Sequence, residues 1–112
     1  MKVAIVGSRQ YPALTKVIEY VRSLPADTVV VSGGAAGVDS LAERQAKARG
    51  LQTLIFLPDW KRYGKSAGFR RNRDIVAAAD KVVAFWDGHS RGTANDIALA
   101  REMGKELEIV LP

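Results

Sequence analysis

The stretch TVVVSGGAAGVD, residues 28–39, decides the fold of this chain. A short run of β-branched residues leads directly into closely spaced glycines, and an amphipathic helical pattern begins where the glycines end. Strand, glycine turn and helix in this order are typical of the βα units of a parallel α/β sheet. In such a sheet the turn lies at the C-terminal edge, where helix N-termini and backbone N–H groups bind phosphate-bearing ligands.

Two further turns follow apolar runs in the same way. The run VAIV, residues 3–6, leads into Gly7, Ser8 and Arg9, and KVVAFW, residues 81–86, leads into DGHSRGT, residues 87–93. Because the carboxyl ends of parallel strands meet at one edge, we expect the three turns to lie together. The sequence therefore predicts a nucleotide or nucleic-acid site at that edge, with Gly7, Ser8 and Arg9 among its residues.

Strand and helix patterns alternate along the chain. Strands are predicted near 2–6, 28–32, 53–57, 81–86 and 107–111, and helices near 13–23, 37–49, 69–79 and 93–103. The alternation predicts one α/β domain over residues 1–112, with helices on both faces of a parallel sheet. We expect the domain to be Rossmann-like and three-layered, with a five-stranded sheet in the order 3-2-1-4-5. The one long connection, 58–68, is expected to be a functional or mobile loop.

Apolar residues at helical spacing mark the helix faces that we expect to be buried. Those residues are Leu14, Val17, Ile18 and Val21 in the first helix, Val38, Leu41, Ala42 and Ala46 in the second, and Phe69, Ile75, Val76 and Ala79 in the third.

The composition excludes several kinds of site. The chain has no cysteine and a single histidine, so disulfides, thiolate zinc sites and an ordinary transition-metal cluster are ruled out, and no cofactor is expected. No apolar stretch approaches membrane-spanning length, and the N-terminus enters a strand directly. We therefore expect a soluble, cytoplasmic protein with no membrane partner.

The excess of positive charge is concentrated in one segment. The net charge is +5, and residues 61–73 contain no acid but carry six basic side chains, namely Lys61, Arg62, Lys65, Arg70, Arg71 and Arg73. A localised positive field attracts the phosphates of nucleotides or nucleic acids. The alternative is a solvated basic loop that contributes only to solubility.

Common nucleotide and hydrolase motifs are absent. The turn at Gly7 lacks the spaced glycines of a dinucleotide fingerprint, and the chain contains neither a Walker A sequence nor a Gly-x-Ser-x-Gly elbow. A dinucleotide-dependent dehydrogenase, a P-loop hydrolase and a triad hydrolase are therefore disfavoured. What remains is an anion site built largely from backbone.

The second turn supplies the first set of candidate ligand-binding residues. Gly33, Gly34 and Gly37 would let the backbone approach a phosphate closely, beside the hydroxyl of Ser32. The alternative is that these glycines only shape a tight turn. Asp39 would hydrogen-bond ribose hydroxyls, or would simply be an acid favoured by the helix dipole in a first turn.

The third turn supplies a second set. Ser90, Gly92 and Thr93 would clamp phosphate, and Asp96 would present a carboxylate to the ligand. The alternative makes Thr93 the N-cap of the last helix, with Asp96 as its partner in a capping box.

The basic segment supplies the remaining candidates. Arg71 would contact phosphate beside Arg9. Asn72 lies on an apolar stripe, so it would either cap a neighbouring loop or face the cleft.

Aromatic side chains near the predicted edge could stack on a base. Trp60, in the long basic connection, is the preferred candidate over Tyr63 and Trp86. Tyr11 would either line the mouth of the cleft or pack against the first helix.

These motifs together resemble the YspA-like branch of the SLOG superfamily. The resemblance rests on residues 7–9, 33–39, 58–60, 63–65, 67–68, 71–72 and 90–93. That superfamily also contains the DprA recombination mediators and the LOG phosphoribohydrolases, and the resemblance implies a Rossmann-like fold that binds nucleotides or related ligands. It also implies Arg71 and Asp96 as catalytic candidates, since they match a helical Arg and a Glu of the LOG enzymes.

Three functions follow as expectations. The first is binding of a nucleotide or a derivative such as ADP-ribose. The second is hydrolysis of the N-glycosidic bond of nucleoside 5′-monophosphates, with Asp96 stabilising the ribosyl cation and Arg71 holding the phosphate. The third is DprA-like binding of single-stranded nucleic acid by residues 61–73. Whether the chain forms a homo-oligomer stays open.

Overall fold

The computed structural model describes residues 1–112, and strands alternate with helices along it. The strands are β1 (Lys2–Gly7), β2 (Val29–Ser32), β3 (Gln52–Ile55), β4 (Lys81–Phe85) and β5 (Glu106–Val110). The helices are α1 (Leu14–Ser23), α2 (Val38–Ala48), α3 (Trp60–Tyr63), α4 (Ala67–Ala78) and α5 (Arg91–Glu102). None of them combines the length and apolar character that crossing a membrane would require.

The five strands form one parallel sheet in the order β3-β2-β1-β4-β5. The predicted fold class and strand order are therefore confirmed. β1 is the central strand, and Val3 is paired with Val30 of β2 on one side and Lys81 of β4 on the other. The direction of winding reverses between β1 and β4, and ligands of such sheets bind beyond the strand ends at that point.

Helices cover both faces of the sheet, so the molecule has three layers. Alternate residues of β1 point to opposite faces, with Val3 and Ile5 in one core cluster and Ala4 and Val6 in the other. The first cluster includes apolar residues of α1 and α2, and the second includes those of α4 and α5. This packing fixes the N-termini of α2, α4 and α5 around the end of β1.

The connection over residues 58–68 differs from the prediction because it is mostly helical. Asp59 caps α3 by accepting a hydrogen bond of 3.1 Å from the Arg62 N–H. Gly64, with φ of +55°, ends α3, and the 3₁₀ turn Gly64–Ser66 leads into α4 at Ala67, before the predicted start at 69. Glycines that resembled loop signals in the sequence here separate short helical pieces.

Two residues predicted to be buried are exposed. Leu14 is 40% and Phe69 51% exposed. Leu14 is the first residue of α1 and Phe69 the third of α4, and the prediction was wrong for these two positions.

Candidate functional site

A cleft of about 590 Å³ opens at the C-terminal edge of the sheet, beside the ends of β1 and β4. The volume is within the usual range for small-molecule sites. Most of the predicted site residues line it: Gly7, Ser8, Arg9, Asp39, Trp60, Arg71, Asn72, Ser90, Gly92, Thr93 and Asp96. Four do not, namely Ser32, Gly33, Gly34 and Gly37.

Gly7 and Ser8 form part of the cleft wall where β1 ends. The Ser8 N–H donates to the Phe85 carbonyl at 3.1 Å, and the Ser8 hydroxyl accepts from the Asp87 N–H at 3.2 Å. A Cβ at Gly7 would lie 2.6 Å from that of Val38, so glycine is needed for α2 to pack against the strand end. These contacts join the first and third turns into one rigid edge.

The three glycines of the second turn make room for the protein itself. A Cβ at Gly33 would lie 2.6 Å from Arg71 Nη1, and one at Gly34 would lie 2.8 Å from the Leu57 side chain. At Gly37, whose φ is +87°, a Cβ would lie 2.6 Å from the Arg9 carbonyl oxygen. These contacts account for the glycines of the tight turn, which does not line the cleft, and the phosphate cradle stays a prediction.

Ser32 is also used within the fold. Its buried hydroxyl donates a 2.8 Å hydrogen bond to the Ile5 carbonyl of the neighbouring strand. The prediction of a ligand contact at this hydroxyl does not fit that arrangement.

Arg71 and Asn72 connect the two walls of the cleft. Arg71 Nη1 donates to the Gly33 carbonyl at 2.7 Å, and Arg71 Nε donates to Asn72 Oδ1 at 3.2 Å. Asn72 Nδ2 donates in turn to Asn95 Oδ1 at 3.1 Å and to the Gly92 carbonyl at 3.4 Å. Asn72 therefore satisfies both expectations, because it ties down the start of α5 and also lines the cleft.

The third turn is organised by Asp87 and Ser90. Asp87 Oδ1 accepts 2.8 Å hydrogen bonds from the N–H groups of Ser90 and His89, and these bonds lower the pKa of Asp87. Ser90, not Thr93, is the N-cap of α5, and its Oγ accepts from the Thr93 N–H at 3.5 Å. The predicted capping box of Thr93 and Asp96 is wrong, because the helix starts earlier and Asp96 lies beyond its first turn.

Asp39 and Asp96 are two buried carboxyls in the cleft wall, on α2 and α5, and each residue is 5% exposed. Burial raises the pKa of Asp39 to about 6, against the lowering effects of Arg71 and nearby backbone N–H groups. Burial and the charge of Asp39 raise the pKa of Asp96 to about 8, against Arg71. Near neutral pH the pair therefore carries one negative charge and one proton.

The aromatic candidates separate into cleft and core residues. Trp60 is 57% exposed and lines the cleft, as expected of a stacking residue. Tyr63 lies under the Arg70 guanidinium at 4.4 Å, and Trp86 Nε1 donates to the Ser90 carbonyl at 3.1 Å. Tyr11 packs in the core and donates to the Val110 carbonyl at 3.0 Å, so the idea that it lines the cleft mouth is wrong.

Several lining residues were not predicted as site residues. They are Val6, Gln10, Ala35, Lys65, Gly68, Phe69, Ile75, Asp87 and His89. Phe69 was assigned to the core because its spacing matched the apolar stripe, whereas Lys65 and His89 lay within segments already singled out. No cluster of three or more His, Cys, Asp or Glu side chains that could hold a metal ion is present.

Comparison with known proteins places this geometry in a family. The sequence profile of the YspA, cpYpsA-related SLOG family matches residues 1–63. The Gene 61 protein of Mycobacterium phage D29 is 35% identical over an alignment 113 positions long, which covers 92% of this chain and 90% of that protein.

Two solved structures of DNA processing protein A (DprA) share the fold. The protein from Streptococcus pneumoniae matches with a TM-score of 0.84 at 24% identity, over 96% of this chain and 49% of its own. That from Helicobacter pylori matches with a TM-score of 0.81 at 26% identity, over 97% of this chain and 64% of its own. The chain thus spans about half of the first and under two thirds of the second. On the family profile and the phage relative, this chain is a member of the YspA-related SLOG family.

Proposed function

We propose that this protein binds a nucleotide or a nucleotide derivative, such as a nucleoside monophosphate or ADP-ribose, in the cleft at the C-terminal edge of its sheet. The observation that carries the proposal is the chemistry of the cleft wall. The capped N-terminus of α5, Arg9 and Lys65 suit a phosphate, Trp60 suits a base, and the buried carboxyls suit hydroxyl groups.

Family membership and the structural neighbours support this in general terms. The Helicobacter pylori DprA has a single-stranded DNA binding mode. Binding of a nucleotide or of nucleic acid is therefore the general function that the relatives support, and the mononucleotide is the finer part of the proposal.

Thermal denaturation with a panel of ligands tests the proposal. Nucleoside monophosphates, ADP-ribose, NAD and short oligonucleotides are compared at equal concentration, because a ligand that binds the folded state raises Tm by mass action. We expect a mononucleotide or ADP-ribose to raise Tm of the wild type. The proposal is overturned if neither a nucleoside monophosphate nor ADP-ribose raises Tm.

A matched pair of arginine variants locates the binding. Arg9→Ala removes a cation from the cleft wall, whereas Arg44→Ala removes an exposed cation from α2, outside the cleft. We expect the first variant to weaken phosphate-dependent binding about tenfold, in line with loss of one charged hydrogen bond, and the second to leave it unchanged.

A second candidate, N-glycosidic hydrolysis, is favoured by the divergent pKa values of Asp39 and Asp96. Breaking the bond between C1′ and the base requires a proton for the departing base and a hydroxide equivalent from water for C1′. Asp96, protonated near neutral pH, would give that proton and regain one from the attacking water, and ionised Asp39 would stabilise the ribosyl cation. In this mechanism Asp96 is the general acid, and Asp39 has the cation-stabilising role that the sequence suggested for Asp96.

Release of free base and ribose 5-phosphate from nucleoside 5′-monophosphates tests the second candidate. We expect Asp96→Asn to lose most of the turnover while still folding, because the amide cannot supply the proton. No release by the wild type across the four common bases would remove the enzyme and leave the binding protein.

Binding of a nucleic acid strand is the third expectation. Lys61 and Arg62 are exposed on α3 with Trp60, and Arg73 is exposed on α4 with Phe69, which suits a single strand. A strand would bind with an affinity that rises with length and falls steeply with salt, because each phosphate contact releases counterions. A mononucleotide would show a shallow salt dependence.

A further inference from the structure

One end of the cleft holds an unsatisfied acceptor. Asp96 is 5% exposed, yet its Oδ1 has no hydrogen-bond partner, although it belongs to a residue of the cleft wall. Leaving a buried polar atom unpaired costs free energy that a ligand donor at that atom would recover. Asp39 lines the same cleft, is equally buried and acts on Asp96 through its charge, so two carboxyls define this acid end.

The hydrogen-bond donors of a nucleotide are few. They are the ribose hydroxyls and the amino or imino groups of the base, while a phosphate offers mainly acceptors. Trp60 and Phe69, both more than half exposed, offer ring faces for the base towards the open side of the cleft. The buried acid end is then left for the edge of the sugar that carries the 2′ and 3′ hydroxyls.

The charges of the cleft also favour the sugar, and not a phosphate, at the acid end. Arg71 is the cation whose charge acts on both carboxyls, and its guanidinium already donates to the Gly33 carbonyl and to Asn72. Arg9 and Lys65 line the cleft as further cations. An anionic group placed against Asp39 and Asp96 would be repelled, in a buried setting where solvent screens charge weakly.

Building on the proposed nucleotide function, we propose that Asp39 and Asp96 select free ribonucleotides, by binding the 2′ and 3′ hydroxyls of the ribose. A ligand without the 2′ hydroxyl leaves a carboxyl oxygen of the acid end without a hydrogen-bond partner. A ligand with a 3′ phosphate brings negative charge to the acid end. An internal nucleotide of a DNA or RNA strand carries such a 3′ phosphate, so this end of the cleft accepts a free nucleotide and rejects a strand interior.

The test is a comparison of three matched ligands. The tightest of the four ribonucleoside 5′-monophosphates is titrated by calorimetry beside its 2′-deoxy analogue and its 3′,5′-bisphosphate. We expect each of the two analogues to bind the wild type about tenfold more weakly or worse, the loss of one hydrogen bond to a charged or strongly polar group.

Asp39→Asn and Asp74→Asn complete the test as a matched pair, since Asp74 is an exposed acid of α4 outside the cleft. We expect Asp39→Asn to bring the affinity of the 3′,5′-bisphosphate closer to that of the 5′-monophosphate, because Asp39 carries the negative charge of the pair and an amide does not repel phosphate. The Asp74→Asn variant should keep the wild-type ratio.

The outcomes separate this inference from the proposed function. Equal wild-type affinity for all three ligands overturns the selection and leaves nucleotide binding intact. A wild-type preference against the 3′ phosphate that Asp39→Asn does not change overturns the assignment to the acid pair. Absence of binding by any ribonucleotide overturns the proposed function, and the inference with it.

Discussion

Asp96 illustrates how a single residue can lower stability at a site. Its folded pKa of about 8 lies above the ordinary value of 3.8, so the folded state holds a proton that the unfolded chain has released. The stabilisation is complete below roughly pH 4 and is lost as pH rises through roughly pH 8. Asp39 acts with the same sign, over the narrower range up to its pKa of about 6.

We predict that Tm of the wild type falls between about pH 5 and pH 8, and that Asp96→Asn raises Tm at pH 8 and flattens the slope. The measurement is Tm against pH for the wild type, Asp96→Asn and the exposed-site control Asp74→Asn. Parallel profiles for all three proteins would show that the Asp96 carboxyl is not held protonated by the fold.

Replacement by alanine should have different effects on stability at two glycines of the same edge, Gly37 and Gly92. Gly37→Ala places a Cβ 2.6 Å from the Arg9 carbonyl oxygen at a φ of +87°, so we expect a loss of about 2 kcal/mol or more. Gly92 lies in α5, and a Cβ there has no atom within 4 Å, so we expect Gly92→Ala to cause no loss of stability. Urea unfolding of both variants measures the difference, and equal stabilities would refute the packing role of Gly37.

At the level of elements, the link between α4 and α5 depends on Asn72. The Asn72 amide joins Arg71 to Asn95 and to the Gly92 carbonyl, which fixes the spacing of the two helices at the cleft. We predict that Asn72→Ala costs about 1–3 kcal/mol, the penalty for unpaired partners in a partly buried network.

A double-mutant cycle checks that this cost belongs to the link. Asn72→Ala and Asn95→Ala are measured alone and together by urea unfolding, with an expected coupling of about 1 kcal/mol. Strictly additive losses would mean that the 3.1 Å amide contact contributes nothing to stability.

The elements themselves were readable from sequence to different degrees. The strands and long helices were predictable because the spacing of apolar residues and the positions of the glycine turns indicate the same elements, as at residues 28–39. The helical connection was not, since Gly64 and Gly68 resemble loop residues and the cap at Asp59 shows only in its contact with the Arg62 N–H. The start of α5 was misplaced because Ser90 and Thr93 are equally acceptable N-caps by residue type.

For the whole molecule, topology was predictable and side-chain partnership was not. The parallel sheet follows from the alternation of strands and helices, and its strand order brings the first and third turns together at the cleft. The glycines of the second turn leave room for Arg71, Leu57 and Arg9. This packing could not be predicted, because it depends on contacts between residues distant in sequence. The pairing of Asp39 with Asp96 could not be predicted for the same reason.

Amide and indole NMR shifts during a titration test the central claim most directly, that a nucleotide binds in this cleft. The chain has two tryptophans, so the two indole N–H signals serve as internal reporters. With the nucleotide that raises Tm most, we predict saturable shifts of the Trp60 indole and of the amides of Ser8, Ser90 and Thr93. Shifts confined to the separate cavity beside Lys16, Tyr20 and Glu108, or no saturable shift at all, would contradict the account.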